Sequence, residues 1–394
     1  MHRTVWTFSA DAQQIQQRLT QISASPGPAL LCLNRHEAAT LLGLDALGHA
    51  EVVAQAAARL RTALGPSVVI TGADGDYADT PQASGWLSHS TSHRPHAGTD
   101  EVFAEAAARA LEGGFVAMEA IIIAAMARSD ALSQYAGTSS LQARADFAQR
   151  ISNLPNFSLP QAATVSGFAA LSDADLGLYA VVDSAAWVVR VVAAGVRTVQ
   201  LRIKDAEGEQ HRAMVREEIR QSIHAATAAG AQLFINDHWQ LAIEQGAYGV
   251  HLGQEDLHIA DLAAIKQAGL RLGISTHAYW EVCRAWALQP SYIACGPIHP
   301  TKAKAMPWIP QGHANLAYWC KLLPLPVVGI AGMDVARTEE AAQCGAAGVA
   351  VISAITAAAS PETAIDQLQQ ALQRGRSRPA GQAPLLPRPT LAAT

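Results

Sequence analysis

Two aspartates that follow neighbouring apolar runs are the residues of this sequence best suited to chemistry. The runs 232–235 and 248–252 are followed by Asp237 and Asp256. One short helix separates the runs, so they form a strand–helix–strand unit whose parallel strands end on one side of the sheet. Adjacent strands lie about 4.8 Å apart, which places both carboxylates within reach of one divalent cation. We predict Mg²⁺, which takes hard oxygen ligands and joins one or two carboxylates to substrate phosphates. The structural alternative is that Asn236 and Asp237 only cap the following helix.

Charged and polar side chains also alternate with apolar ones in the stretch 199–204. This alternation separates two faces, one with Val199, Leu201 and Ile203 and the other with Gln200, Arg202 and Lys204. A parallel strand buried on both faces should be almost entirely apolar, so cations on one face need an anionic partner. We predict a bound polyphosphate. The structural alternative is an ion pair with Asp237 or Asp256.

Further hydroxyls, cations and backbone donors follow four later apolar runs. They are Ser275 and His277, then Thr301, Lys302 and Lys304, then Gly332, and finally Ser353. Backbone N–H groups after the last two strands of a barrel often bind a phosphate, which predicts a phosphate site there. His277 and His299 are acid–base candidates, although a lone histidine near a strand end more often serves packing or hydrogen bonding.

A strand and a helix alternate eight times between residues 176 and 375. The predicted strands are 176–182, 198–204, 232–237, 248–253, 271–276, 292–298, 326–332 and 347–353. Eight such units in about 200 residues predict a closed (β/α)₈ barrel, with Gln200, Arg202 and Lys204 on its inside. An open doubly wound sheet is the alternative, but no Gly-x-Gly-x-x-Gly turn follows an early strand.

Composition and length complete the outline. A chain of 394 residues that is 50% hydrophobic fits two α/β domains, which we place at 1–150 and 176–375, with a linker at 151–175 and a disordered tail at 376–394.

A net charge of −5 argues against nucleic acid as a partner. No segment is predicted to cross a membrane, and a homo-oligomer remains open. Five scattered cysteines and a start unlike a signal peptide favour the cytoplasm. The histidine-rich loop 82–98 is predicted to be solvated rather than metal-binding.

Six segments in this order resemble the thiamine phosphate synthase family. They are Gln-Leu-Arg-Ile-Lys (200–204), Ile-Asn-Asp (235–237), Gly-Val-His-Leu-Gly-Gln-Glu-Asp (249–256), Ser-Thr-His (275–277), Pro-Thr-Lys-Ala-Lys (300–304) and Val-Ile-Ser-Ala-Ile (351–355). The resemblance covers residues 176 to about 372. It implies a (β/α)₈ barrel that joins 4-amino-2-methyl-5-hydroxymethylpyrimidine diphosphate to 4-methyl-5-(2-hydroxyethyl)thiazole phosphate and releases diphosphate.

The resemblance also implies roles for individual residues. The pyrimidine diphosphate would be bound by Gln200, Leu201, Arg202, Ile203, Lys204, Asn236, Ser275 and Lys304, of which Arg202, Lys204, Ser275 and Lys304 would be catalytic. Asp237 and Asp256 would bind Mg²⁺, and the thiazole phosphate would be bound by Thr301, Lys302, Ala303, Gly332, Ile352 and Ser353. Two positions depart from the family pattern. Ala303 stands where the family commonly has threonine, and Ala331 replaces the first glycine of its Ile-Gly-Gly-Ile segment.

The first domain resembles the C-terminal half of ribokinase-like hydroxymethylpyrimidine phosphate kinases. The segment 34–37 matches their Asn-x-x-Glu, and 97–101 resembles their anion-binding turn. Asp100 stands where that turn needs a second glycine, which implies a degenerate remnant. A bifunctional kinase and synthase, and a non-synthase barrel such as a thiazole tautomerase, are the alternatives.

Overall fold

The computed structural model describes residues 5–7, 30–64, 67–88, 98–135, 141–158, 165–204, 208–301 and 307–392. The chain forms two compact units. Unit 1 comprises Met1–Ala162, Ala278–Ala287 and Pro389–Thr394, and unit 2 comprises Ala163–His277 and Leu288–Arg388. Unit 1 therefore includes two later segments that the sequence assigned to the barrel and to the tail.

No helix among the described residues is both long enough and apolar enough to span a membrane. The histidines of loop 82–98 lie outside the described residues.

Unit 1 is built on a mixed six-stranded sheet in the order β1-β2-β3-β4-β5-β6. The strands are β1 (Val5–Thr7), β2 (Leu30–Asn34), β3 (Val68–Thr71), β4 (Asp76–Asp79), β5 (Ser84–Ser88) and β6 (Asn156–Ser158). The first three are parallel and the later pairs are antiparallel. Its helices are α1 (Arg35–Leu42), α2 (Ala50–Leu64), α3 (Thr99–Glu112) and α4 (Ala117–Ser133). Aliphatic side chains of β2 and β3 pack with those of α1 and α2 to form one core.

Residues 376–392 are described by the structure and make specific contacts, which differs from the disorder predicted for 376–394. In unit 1 the carboxylate of Glu119 on α4 accepts hydrogen bonds from the backbone N–H of Thr390 at 3.0 Å and from its hydroxyl at 2.5 Å. In unit 2 the side chain of Asn315 bonds the carbonyl and the N–H of Arg388 at 3.0 and 2.8 Å. Composition predicted disorder because Pro and Gly are frequent here, but these polar contacts hold the segment in place.

Glu119 gives unit 1 a pH-dependent stability. Its side chain is fully buried, and burial raises its pKa from 4.5 to about 7. Because the folded pKa lies above the unfolded one, the charged form costs folding free energy, and stability falls as pH rises from about 4.5 to about 7. We expect Glu119→Gln to stabilise the protein by about 3 kcal/mol above pH 7, and this gain to shrink toward zero near pH 4.5.

Thermal unfolding across this pH range measures the effect. Glu112→Gln, a matched change at an exposed position of α3, should show no such pH dependence. An equal gain from Glu119→Gln at every pH would show that burial of the charge is not the cause.

Unit 2 contains a closed barrel of eight parallel strands, in the order β10-β11-β12-β13-β14-β7-β8-β9. The strands are β7 (Gly177–Val182), β8 (Thr198–Leu201), β9 (Gln232–Asn236), β10 (Gly249–Leu252), β11 (Arg271–Thr276), β12 (Tyr292–Cys295), β13 (Val327–Ile330) and β14 (Gly348–Val351). The helices after β7 in chain order are α5 (Ala185–Ala193), α6 (Glu209–Ala228), α7 (Trp239–Glu244), α8 (Leu262–Gln267), α9 (Tyr279–Leu288), α10 (Gly312–Leu322), α11 (Val335–Gln343), α12 (Ser353–Thr356) and α13 (Pro361–Ser377). All of α9 except its last residue belongs to unit 1. The predicted (β/α)₈ barrel is confirmed, and the open sheet is wrong because β14 pairs with β7 and closes the ring.

Aromatic side chains fill the barrel interior. The rings of Phe234 and Tyr292 meet edge to face with their centroids 5.0 Å apart, and Tyr179 lies 5.9 Å from Tyr292. Tyr292 crosses directly over β11, where a Cβ on Gly273 would lie 2.1 Å from its ring. Glycine is therefore required at 273 for Tyr292 to occupy the centre of the barrel.

Candidate active site

Asp237 and Asp256 meet beyond the carboxyl ends of two neighbouring strands. Asp237 directly follows β9, and Asp256 begins a short 3₁₀ helix, Asp256–His258, after β10. Burial, and then the nearby charge on Asp256, raise the pKa of Asp237 to about 7, so the two carboxyl groups lie close to each other. Two carboxylates this close repel each other unless a proton or a cation is shared between them. The structure therefore brings together the two aspartates that the sequence predicted as neighbours.

Asp237 adopts a backbone conformation that few residues other than glycine adopt. Its φ is +61°, in the left-handed region, where a residue other than glycine is strained. Its side chain accepts a hydrogen bond from the amide of Asn236. The following helix α7 begins after His238 without a side-chain cap. The alternative that Asn236 and Asp237 merely cap this helix is wrong, and strain at such a position is typical of a functional site.

Arg202 and Lys204 lie beyond the end of β8 rather than inside the barrel. The strand ends at Leu201, Arg202 is half-buried and Lys204 is exposed. The positive charge of Arg202 counteracts the rise in the pKa of Asp237 and lowers the pKa of His251, so this guanidinium is close to both. Among the residues that the structure describes, no ion pair joins Arg202 or Lys204 to Asp237 or Asp256. The two cations are thus available at the barrel mouth for an anionic ligand.

Gln200 points into the barrel and begins a chain of buried polar side chains. Its amide donates to the Tyr179 hydroxyl at 3.2 Å, and the hydroxyls of Tyr179 and Tyr292 lie 2.7 Å apart. His251 contacts Tyr292 through Nδ1 and Ser275 through Nε2, each at 2.7 Å. Burial is the main cause that lowers the pKa of His251 to about 3. This neutral imidazole links the predicted residues Gln200 and Ser275 across the barrel.

The loop after β13 packs closely against the loop after β12. A Cβ on Gly332 would lie 2.7 Å from Cβ of His299 and 2.8 Å from the carbonyl oxygen of Pro300. Gly332 therefore lies close to the residue before Thr301, and its own carbonyl accepts a bond of 2.6 Å from Arg337. Gly332 and the half-buried Thr301 belong to one corner of the barrel mouth, where the sequence predicted a phosphate site.

Ala331 is strained within this loop. Its φ is +81°, in the left-handed region that favours glycine. We expect Ala331→Gly to stabilise the protein by about 1 kcal/mol and to lower the Michaelis constant of the phosphate ligand that the sequence predicts at this corner. Chemical denaturation and steady-state kinetics measure the two effects. Ala229→Gly, at a helix end with a φ of −90°, should give no gain, and an equal gain in both variants would contradict the role of φ.

The histidines proposed as acid–base groups are engaged in other contacts. His277 stacks on Trp308 with the ring centroids 5.6 Å apart. Nε2 of His299 faces Nε2 of His313 at 3.3 Å, and Nδ1 of His313 lies 2.9 Å from Glu340. Burial lowers the pKa of both His299 and His313. These contacts favour packing and hydrogen bonding over direct chemistry.

The remaining predicted residues lie on the loops and strand ends around the barrel mouth. Lys302, Ala303 and Lys304 lie outside the described residues. Leu201 is buried, Ile203 is half-buried, and the Ile203 carbonyl lies 3.3 Å from the His238 ring. Half-buried Ile352 packs against the barrel core, and exposed Ser353 begins α12.

Sequence reasoning did not single out Tyr179, His251 or Tyr292. Each tyrosine stands in an apolar run and resembles an ordinary core residue. His251 is the one polar residue within β10. A polar residue in an otherwise apolar strand could have indicated a role in the site. Gln254 was also missed, although its amide donates to the carbonyl of Ser275 at 2.8 Å and ties two strand ends together.

In unit 1 the segment 34–37 caps the N-terminus of helix α1. Asn34 accepts from the N–H of Glu37 at 2.9 Å, and Glu37 accepts from the N–H of Asn34 at 2.8 Å, which is a capping box. Asp100, in the first turn of α3, accepts from the Thr71 hydroxyl at 3.4 Å. The pKa of Glu37 is raised by burial and further by Asp100. Two carboxyl groups, Asp100 and Glu37, therefore lie near each other at this end of the sheet, unlike an anion-binding turn.

Comparisons with known proteins concern unit 2. Residues 178–355 match the family model described as thiamine monophosphate synthase. The thiamine-phosphate synthase of Yersinia pestis (strain Pestoides F) is 53% identical over 194 residues, which cover 49% of this chain and 88% of that protein. The enzyme of the same name from Serratia proteamaculans (strain 568) is 51% identical over 199 residues, or 50% of this chain and 92% of that protein. A solved thiamine phosphate pyrophosphorylase from Pyrococcus furiosus is 26% identical, with a TM-score of 0.45, over 51% of this chain and 97% of that one.

Proposed function

This chain belongs to the thiamine-phosphate synthase family, and from that premise we propose that the mouth of its barrel carries out the synthase reaction. The enzyme is a transferase that acts on two small molecules, 4-amino-2-methyl-5-hydroxymethylpyrimidine diphosphate and 4-methyl-5-(2-hydroxyethyl)thiazole phosphate. The C–O bond between the pyrimidine methylene and the diphosphate breaks, and the thiazole nitrogen forms the new C–N bond. Diphosphate leaves with the electron pair. We place the reaction in the cytoplasm because all five cysteines are free, as a reducing compartment keeps them.

The half-buried pair Asp237 and Asp256 carries this proposal. The pKa of Asp237 stays raised although Arg202 is nearby, and a pair of neighbouring carboxylates suits Mg²⁺, which is commonly held by one or two carboxylates and substrate phosphates. Among the described residues, no group of three or more His, Cys, Asp or Glu side chains could hold a metal ion. When bound, Mg²⁺ would supply positive charge next to the diphosphate.

The chain's own residues would bind and orient the pyrimidine diphosphate. Arg202, close to the carboxylate pair, and exposed Lys204 would pair with diphosphate oxygens, as the resemblance also implies for Lys304. Negative charge grows on the leaving diphosphate, so fixed cations at the barrel mouth stabilise the transition state more than the ground state. Gln200 and Ser275, at the two ends of the interior polar chain, would hold the pyrimidine ring. No protein nucleophile is needed.

The thiazole phosphate would bind at the corner formed by Thr301 and Gly332. The close approach of Gly332 to Pro300 leaves no room for a side chain, so backbone is presented there. The family resemblance implies four further residues that would bind this phosphate: Lys302, Ala303, Ile352 and Ser353. The position fits the usual phosphate-binding end of such barrels, after the last two strands.

For unit 1 we propose a remnant of a hydroxymethylpyrimidine phosphate kinase without kinase activity. Asp100 and Glu37 place carboxyl groups where a nucleotide phosphate would need donors. A bifunctional enzyme would require the opposite charge at this position.

The full chain should be incubated with both substrates and Mg²⁺, and the products separated. We expect thiamine phosphate and diphosphate in equal amounts, and neither when one substrate is left out. ATP and the pyrimidine monophosphate should yield no pyrimidine diphosphate. Isomerisation of a thiazole tautomer without synthase activity would instead support the tautomerase alternative.

A further inference from the structure

A continuous hydrogen-bonded chain crosses the barrel interior from Gln200 to Ser275. It passes through the hydroxyls of Tyr179 and Tyr292 and the imidazole of His251, and each of its last three contacts is 2.7 Å long. Tyr292 is 0% and His251 4% exposed. Solvent therefore does not supply alternative hydrogen-bond partners to Tyr292 or His251, in the middle of this series of hydrogen bonds.

One direction of donation satisfies every contact in this series of hydrogen bonds, because each hydroxyl has one hydrogen. The Gln200 amide N–H₂ donates to Tyr179, which leaves the Tyr179 hydrogen to be donated to the neighbouring Tyr292 oxygen. Tyr292 then uses its hydrogen toward Nδ1 of His251. Both partners of the His251 ring are neutral hydroxyls, and a neutral imidazole that accepts at Nδ1 carries its proton on Nε2.

We propose that this series of hydrogen bonds from Gln200 to Ser275, which we call the relay, fixes His251 as the Nε2–H tautomer. The relay thereby makes the Ser275 hydroxyl a hydrogen-bond donor to the substrate. Ser275 accepts from His251, so its own hydrogen is directed away from the relay. The inference rests on the proposed function for the identity of the acceptor, which would be a ring nitrogen of the aminopyrimidine. Tyr179, Tyr292 and His251 are then positioning residues that act through Ser275.

Gly273 allows Tyr292 to take its place in the relay. Its missing side chain leaves the space that the Tyr292 ring occupies, and the hydroxyl of that ring joins Tyr179 to His251. The reverse arrangement, with the proton on Nδ1, would make Ser275 donate to His251. Ser275 would then offer the substrate only lone pairs.

The ring ¹⁵N signals of His251 in the full chain without substrate test the tautomer directly, with His251→Gln to assign them. We expect the Nε2–H form in the wild type and a loss of this single form in Tyr292→Phe. Tyr248→Phe is the matched control, because its hydroxyl contacts Ser172 and Gln232 and lies outside the relay. An Nδ1–H signal in the wild type would overturn the proposal, whether or not thiamine phosphate is formed.

Kinetics separate positioning from a general loss of packing. Tyr292→Phe should lower kcat/KM for the pyrimidine diphosphate about tenfold, the effect of about one hydrogen bond, while Tyr248→Phe should leave it unchanged. In a Ser275→Ala background, Tyr292→Phe should cause no further loss, because it acts through that hydroxyl. Equal losses in both backgrounds would show that Tyr292 does not act through Ser275. An inactive wild type with the Nε2–H tautomer would instead refute the synthase function and leave the relay standing.

Discussion

Replacing Asp237 or Asp256 by asparagine is expected to lower turnover about a hundredfold at physiological Mg²⁺. Each change removes one of two carboxylates that lie close together at the barrel mouth, and the amide that replaces it is a poorer ligand for a hard cation. The shape of the site is kept, so the pyrimidine ring should still bind. Raising the Mg²⁺ concentration should restore part of the rate.

Steady-state rates over a range of Mg²⁺ concentrations measure this effect. Asp261→Asn is the matched control, because Asp261 is exposed and caps α8 through Ala264, a role that asparagine performs equally well. Wild-type rates in both Asp237→Asn and Asp256→Asn would exclude a metal shared by the two residues.

Arg202→Ala is expected to lower kcat about a hundredfold while the Michaelis constant of the thiazole phosphate stays the same. The guanidinium is close to Asp237 and His251 and is assigned to the leaving diphosphate, where charge increases in the transition state. Arg202→Lys should recover part of the rate, because it keeps the charge but loses the bidentate geometry.

Single-turnover measurements with the thiazole phosphate in excess isolate the chemical step. Arg216→Ala is the control, since Arg216 pairs with Glu244 at an exposed site. A raised Michaelis constant for the thiazole phosphate with an unchanged kcat would assign Arg202 to the other substrate.

The barrel could be predicted from sequence because its strands and helices follow simple periodicities. Each predicted strand overlaps an observed one, and two of them, 176–182 and 271–276, end at the observed residue, but the other six were predicted to extend too far at the mouth end. The run 292–298 gives a strand that ends at Cys295, since Pro297 has no N–H for the sheet ladder. The strand predicted at 198–204 ends at Leu201, so Arg202 and Lys204 are mouth residues rather than interior ones.

The contacts that connect distant strands could not be predicted in the same way. Tyr179 and Tyr292 are 113 positions apart, and their hydroxyls meet only because the barrel closes. Asp237 and Asp256 were found because the strands before them are adjacent in sequence as well as in the sheet. The assignment of residues 278–287 to unit 1 had no local signal, because α9 follows β11 as a barrel helix should.

Metal binding by Asp237 and Asp256 together is tested most directly by counting bound Mn²⁺, which takes the same oxygen ligands as Mg²⁺. Electron paramagnetic resonance of free Mn²⁺ in the presence of the pyrimidine diphosphate gives the count for each variant. We expect a single ion per chain in the wild type and in Asp261→Asn, and its loss in the double variant Asp237→Asn/Asp256→Asn. Identical Mn²⁺ binding by the wild type and the double variant would contradict a metal held by this pair.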